Sequence, residues 1–169
     1  MLMEIKVEPL TKEGFKDYGR VVEIPDAEPS KVGEGWECWS YVQTMDIDTE
    51  VGMGLVTTNV RPFEVDSMER HDSREELLLA INEDIIQPVA TYKELYSPDE
   101  QPEVENVKCF YLKKGQGIIL NKGIWHSPAY PAKASTTYLF AIEKKPDIYG
   151  DELIDPWVEF VGSKKIAFK

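Results

Sequence analysis

Eleven short runs rich in Val, Ile, Tyr and Phe recur along the chain: EIKVE, RVVEI, ECWSYVQTM, GLVTTNV, FEVDSM, ELLLAI, IIQPVA, VKCFYL, GIIL, TTYLFAI and WVEFV. β-Branched and aromatic residues suit a pleated, half-buried surface, and turn-forming residues separate the runs, so the chain is expected to be all-β, a sandwich or a barrel. Helix is scarce. In TKEGFKDYG, Thr11 can cap a short helix that Gly19 ends, and TYKELYS, near residues 91–97, offers a second helical turn. The acidic, Pro-containing stretch SPDEQPEVEN, 97–106, reads as a surface loop between the two halves of the barrel, and PDIYGDELIDP, 146–156, as an irregular stretch before a terminal strand.

A chain of 169 residues fits one domain, residues 1–169, able to bury most of its apolar side chains in one core. The 42% hydrophobic and 30% charged residues lie far from the disordered regime. With 19 Lys and Arg against 31 Asp and Glu, and no basic stripe, the chain repels phosphate backbones, which argues against a nucleic-acid partner. The same charge means that an anionic substrate must be captured by a local positive group. Cys38 and Cys109 have no metal-like spacing and are too few for a disulfide framework, which points to a reducing compartment. MLMEIKVEPL has no leader-like pattern, and no window approaches eighteen uninterrupted apolar residues, so the expectation is a cytoplasmic protein with no membrane partner.

The chain has two histidines. His71 lies in MERHDSREELLLAI, reading E-x-H-x4-E through Glu69, His71 and Glu76. His126 lies in KKGQGIILNKGIWHSPAYP, reading G-x5-N-x-G-x2-H through Gly115, Asn121, Gly123 and His126. Strand alternation puts residues 69 and 71 on one face, so both can point at one ion, and imidazole with carboxylate suits a first-row divalent metal. The competing reading is two histidines satisfied by hydrogen bonds at a barrel rim. Together the two patterns resemble the motifs of the cupin superfamily, which implies a jelly-roll barrel of the double-stranded β-helix kind. Carried over by position, the resemblance makes His71, Glu76 and His126 ligands of a divalent metal ion (Mn, Ni, Zn or Fe). Glu69 stands where the first cupin His would be, as a fourth ligand, and Asn121 replaces a Pro.

Longer stretches are similar to the ureidoglycolate lyase family of cupins: VEPLTKEGFKDYGRVVE, VTTNVRPFEVDSMERH and GQGIILNKGIWHSPAYP, within a likeness over about residues 5–143. The family often carries Gln where Glu76 stands, and its tail differs from IEKKPDIYGDELIDP. The resemblance implies cleavage of ureidoglycolate, a small carboxylated substrate, to glyoxylate and urea, with Glu69, Glu76 and His126 as catalytic candidates and Glu69 as the base. Arg61 or Lys122 would hold the substrate's carboxylate, and Trp125, beside His126, would wall the pocket. Arg70 should point to the opposite face from Glu69. Two alternatives remain, a cupin isomerase or lyase acting on a sugar-derived substrate and a non-catalytic ligand-binding cupin. The aromatics of WECWSYV and the pairing common in such barrels predict a homodimer.

Overall fold

The computed structural model describes residues 2–145 and 156–169. Two five-stranded sheets dominate it. The first is antiparallel, in the order Gly19–Val22, Gly117–Leu120, Glu76–Ala80, Thr136–Glu143, Val51–Thr58. The second joins Trp125–His126 and Tyr130–Pro131 to Ile85–Ala90, then Val107–Leu112 and Val7–Pro9. The all-β expectation holds.

Between the sheets, Leu78, Ala80, Ile118 and Leu120 face Ile85, Val89, Phe110 and Leu112 in one buried cluster. Alternation along Ile85–Ala90 sends Ile86 and Ala90 the other way, into a second cluster with Cys109, Trp125 and Phe168. A strand buried on both faces explains why IIQPVA reads as a continuous apolar run. Pro88, which brings no N–H, falls in the gap between the pairings to Trp125–His126 and Tyr130–Pro131. There the Gln87 side-chain amide donates to the Ser127 carbonyl at 2.7 Å, so the interruption at Ser127–Ala129 is bridged by a side chain.

The second cluster is closed by a strand with no counterpart in the sequence reading. Lys165–Phe168 pairs in parallel with Leu2–Ile5 and antiparallel with Glu64–Val65. KIAF is short and ends the chain, so its pairing depends on a partner more than 160 residues away, which local pattern cannot show.

Thr11 caps the helix as expected, its hydroxyl accepting from Gly14 N at 3.0 Å, but the helix Lys12–Phe15 ends at Lys16. Gly19 instead opens a strand so close to its neighbour that a Cβ there would lie 1.9 Å from the Ile119 carbonyl oxygen. TYKELYS is turn and irregular chain with no helix, while the stretch 97–106 contains the 3-10 turn Val104–Asn106. That stretch links the adjacent strands Ile85–Ala90 and Val107–Leu112 of one sheet and does not join two halves of the barrel. The segment PDIYGDELIDP, apart from Pro156, lies outside the described residues.

Candidate active site at the barrel mouth

Four residues from three stretches of chain converge in one pocket. Glu69 and His126 exchange backbone hydrogen bonds, N to O at 2.9 Å in both directions, so their side chains leave the same face. Glu76 begins the strand Glu76–Ala80 and points inward with Leu78 and Ala80. His71 lies beyond the bridge at Glu69, in irregular chain, so turn geometry aims it and strand alternation does not. Its carbonyl accepts from Gly123 N at 2.7 Å, and Gly123 turns at φ +84° with Tyr92 and Leu95 packed where a Cβ would stand.

The interatomic distances decide what the cluster can do. His126 Nε2 lies 2.9 Å from Glu76 Oε2 and 3.8 Å from Glu69 Oε1, and His71 Nε2 lies 3.6 Å from Glu76 Oε2. Both His126 Nε2 and Glu76 Oε2 are buried without a hydrogen-bond partner, their 2.9 Å approach lacking hydrogen-bond geometry. Two ligands about 2.0–2.1 Å from one ion are roughly 2.9 Å apart at a right angle and roughly 3.4 Å at the tetrahedral angle. The 2.9 Å separation falls on that scale and the 3.6 and 3.8 Å separations lie slightly above it, and one atom each from Glu69, His71 and His126 lies within 4.8 Å of the others. His126 Nδ1 donates to the Ile124 carbonyl at 3.0 Å, which leaves Nε2 facing the pocket, the orientation a ligating histidine needs. The residues present therefore fit a divalent cation.

Electrostatics bind the group together. Burial opposes ionisation of Glu76, but the charge of His126 beside it, with His71 and Arg74, holds its carboxyl below the usual range. Burial likewise opposes a charged His126, yet Glu76 and, further off, Glu69 push its pKa up to about 9. Val56, Leu78, Tyr138, Phe140 and Trp157 form the apolar walls.

Several sequence candidates lie elsewhere. Trp125 does not line the pocket: as His126's neighbour on a strand it faces the opposite way, into the second cluster, with Arg70 stacked 4.7 Å from its ring. Arg70 takes the far face as expected and is bound to the 94–100 loop through Glu94 O, Ser97 O and Glu100. Lys122 is absent from the pocket lining and pairs with Asp46 at 3.0 Å. Arg61 stands in an adjoining hollow. Two residues were not singled out from sequence. Trp157 walls the pocket from far along the chain, with no local signal. Arg74, 2% exposed, donates to Glu143 O at 3.1 Å and approaches His71 Nδ1 at 3.5 Å. Within DSREE it reads as one charge in a solvated run.

An all-β protein with two facing sheets and a pocket of imidazoles and carboxylates is the class that fold and site define. A family profile described as ureidoglycolate lyase matches residues 2–156, and the chain belongs to that family. Among similar proteins, a ureidoglycolate lyase of Burkholderia mallei is 25% identical over 130 residues, 73% of each chain. One from Burkholderia cepacia is 23% identical over 155 residues, covering 88% of this chain and 85% of its own, and one from Salmonella typhimurium is 21% identical, covering 81% and 86%. Of solved structures, RmlC from Streptococcus suis in complex with dTDP-D-xylose superposes with a TM-score of 0.36 at 9% identity, over 70% of this chain and 60% of that one.

Proposed function

We propose that the pocket binds ureidoglycolate and cleaves it to glyoxylate and urea, with Glu69 as the proton-transferring group. The observation that carries this reading is the convergence of Glu69, His71, Glu76 and His126 on one point at the mouth of a barrel of this family.

Ureidoglycolate is a hemiaminal: one carbon bears a hydroxyl, a carboxylate and the urea nitrogen. Its cleavage moves one proton from oxygen to nitrogen. The O–H bond breaks, its electrons form the carbonyl of glyoxylate, the C–N bond breaks, and the nitrogen takes a proton as urea leaves. Glu69, whose side chain is 20% exposed at the pocket's edge, would take the hydroxyl proton and return it to the departing nitrogen. Glu76, ionised and buried, fixes His126 and sets the charge of the floor. The apolar walls keep bulk water from the hemiaminal carbon. His71, Glu76 and His126 would hold a divalent ion (Mn, Ni, Zn or Fe), which would supply Lewis-acid polarisation of the substrate's oxygens and leave Glu69 as the base.

The test is glyoxylate release from ureidoglycolate by the purified protein, with and without added Mn²⁺, Ni²⁺, Zn²⁺ or Fe²⁺. Release is expected under at least one of these conditions, and none under any would remove the lyase reading. The two free cysteines support a reducing, cytoplasmic setting. Among the described residues, no helix is long and apolar enough to cross a membrane. Exposed Trp36, Tyr41, Met53 and Leu55 support a homodimer, which light scattering at micromolar concentration should show as twice the 19.3 kDa chain mass; a species of monomer mass would refute it.

A further inference from the structure

An anionic substrate faces a difficulty at this pocket. Its lining sets Glu69 and Glu76 beside His71 and His126 and contains neither Lys nor Arg, so no guanidinium or ammonium there is left to meet a carboxylate. Beside it lies a second hollow, which shares Ser127, Pro128 and Trp157 with the pocket as a common wall. Arg61 is the one Lys or Arg among the residues lining the two hollows.

Arg61 is held in place yet largely unspent. Its guanidinium lies 4.0 Å over the ring of the buried Tyr130, and Nη2 donates to the Pro128 carbonyl at 3.1 Å. These contacts fix the plane of the fork while committing one of its five N–H donors. No carboxylate pairs with it among the described residues. The other arginines are engaged elsewhere: Arg20 with Glu75, Asn121 and the Thr44 carbonyl, Arg70 with the 94–100 loop, and Arg74 with the carbonyls of Glu143 and Lys145. In a chain of 31 acidic residues, this exposed arginine, anchored by one carbonyl and one ring and facing no carboxylate partner, has the donors to take an anion beside an acidic pocket. Its surroundings also set the ligand's charge. Asp66 on the same wall is neutralised by Lys165 at 3.2 Å, whereas Glu64 has no ion-pair partner among the described residues and opposes a second negative charge. The hollow suits a monocarboxylate over a phosphate dianion.

We infer that the hollow around Arg61 is the subsite for the substrate's carboxylate, and that Arg61 is a specificity-determining residue that selects hemiaminals bearing a single carboxylate. This rests on the lyase reading. The substrate then bridges the shared wall of Ser127, Pro128 and Trp157, its hydroxyl toward Glu69 and its carboxylate on the guanidinium.

The experiment compares two substrates and one inert analogue across the wild type, Arg61→Ala and Arg61→Lys. Hydroxymethylurea keeps the hemiaminal and ureido groups but lacks the carboxylate; oxalurate keeps the carboxylate and cannot eliminate. Arg61→Ala should lower kcat/KM for ureidoglycolate about 10- to 100-fold while leaving hydroxymethylurea turnover unchanged, and Arg61→Lys should recover part of the loss. Oxalurate affinity, read by calorimetry, should fall by a similar factor. Where the wild type releases glyoxylate, the kinetic comparison decides, and an equal loss for both substrates, or no loss for ureidoglycolate, overturns the subsite. Where it releases none, the lyase reading falls and oxalurate binding decides alone: affinity undiminished by Arg61→Ala, or no binding by the wild type, overturns the subsite on its own.

Discussion

Glu76 and Glu143 are both buried carboxylates beside a cation, and they lie in adjacent strands of one sheet. Their surroundings differ in one respect. Glu143 Oε1 accepts from Asp48 N, Thr49 N and the Thr49 hydroxyl at 2.8, 2.7 and 3.0 Å, and Oε2 meets Lys145 Nζ at 2.8 Å. Three hydrogen bonds to Oε1 and an ion pair at Oε2, which like Glu76 Oε2 makes no hydrogen bond, form a latch that fastens the segment before Val51 to the end of Thr136–Glu143. Glu76 has no such set of backbone and hydroxyl donors, and its Oε2 faces the imidazoles of His126 and His71 with no hydrogen bond made. A fold leaves a buried charge unspent only at a cost, since burial without full compensation is unfavourable. On the proposed function, the contrast separates a carboxylate kept for stability from one kept for chemistry.

The largest effect should come from emptying the unspent cluster. The double variant His71→Ala, His126→Ala removes both imidazoles, and elemental analysis of protein purified without chelator should show bound metal in the wild type and none in the variant. Equal metal content in the two would show that these side chains do not hold the ion and would erase the proposed contrast with Glu143.

Next in size is a crossed pair of single changes. Glu69→Gln keeps shape and removes the base, so kcat for glyoxylate release should fall about 10²-fold or more at unchanged melting temperature. Glu143→Gln should do the opposite, lowering the melting temperature while the folded fraction keeps its kcat. Calorimetry beside steady-state kinetics reads both, and a large kcat loss in Glu143→Gln would make the latch part of the site.

How much of this was legible beforehand can be judged from individual residues. The strands came through because alternation is local, and IIQPVA and TTYLFAI carry their period in their own side chains. The convergence of Glu69, His71, Glu76 and His126 was reached from spacing and resemblance, although the reason given for His71, strand alternation, fails because the strand Ser67–Met68 and its one-residue bridge end before it. Trp125 was misplaced by the same kind of reasoning: adjacency to His126 in sequence means opposition across a strand. Trp157 and Arg74 were invisible because their roles arise from packing between segments distant in sequence. Lys122 was a candidate only until Asp46 was seen to hold it.

Acid sharpens the comparison further. The Lys145 ammonium and the donors of residues 48–49, acting against burial, hold the Glu143 carboxyl down at about 2, from 4.5 for the free group. A folded-state pKa below the unfolded value means that the unfolded chain binds the extra proton first, so the latch's stability is fully present above about 4.5 and drains away as pH falls through about 2. The melting-temperature gap between wild type and Glu143→Gln should therefore be constant near neutrality, narrow below pH 4.5 and close near pH 2. A gap that persists unchanged at pH 2 would mean that packing, not charge, makes the latch.

The smallest effect is expected one residue further out. Lys144 Nζ pairs with Glu50 Oε2 at 3.1 Å beside the latch, but the two side chains are 60% and 73% exposed. Water solvates both charges as well as they solvate each other, and ordering two long side chains offsets the Coulomb gain, so such pairs contribute about 0–1 kcal/mol. Lys144 is also held without its side chain, because its backbone N donates to the Glu50 carbonyl at 2.7 Å. Glu50→Gln should leave the melting temperature within experimental error of wild type at physiological salt. Raising the salt should not separate the two proteins, since screening removes only what the pair contributes. A loss comparable to that of Glu143→Gln would show that the exposed pair and the latch act as one network, and burial would then no longer be what distinguishes a structural charge from a decorative one here.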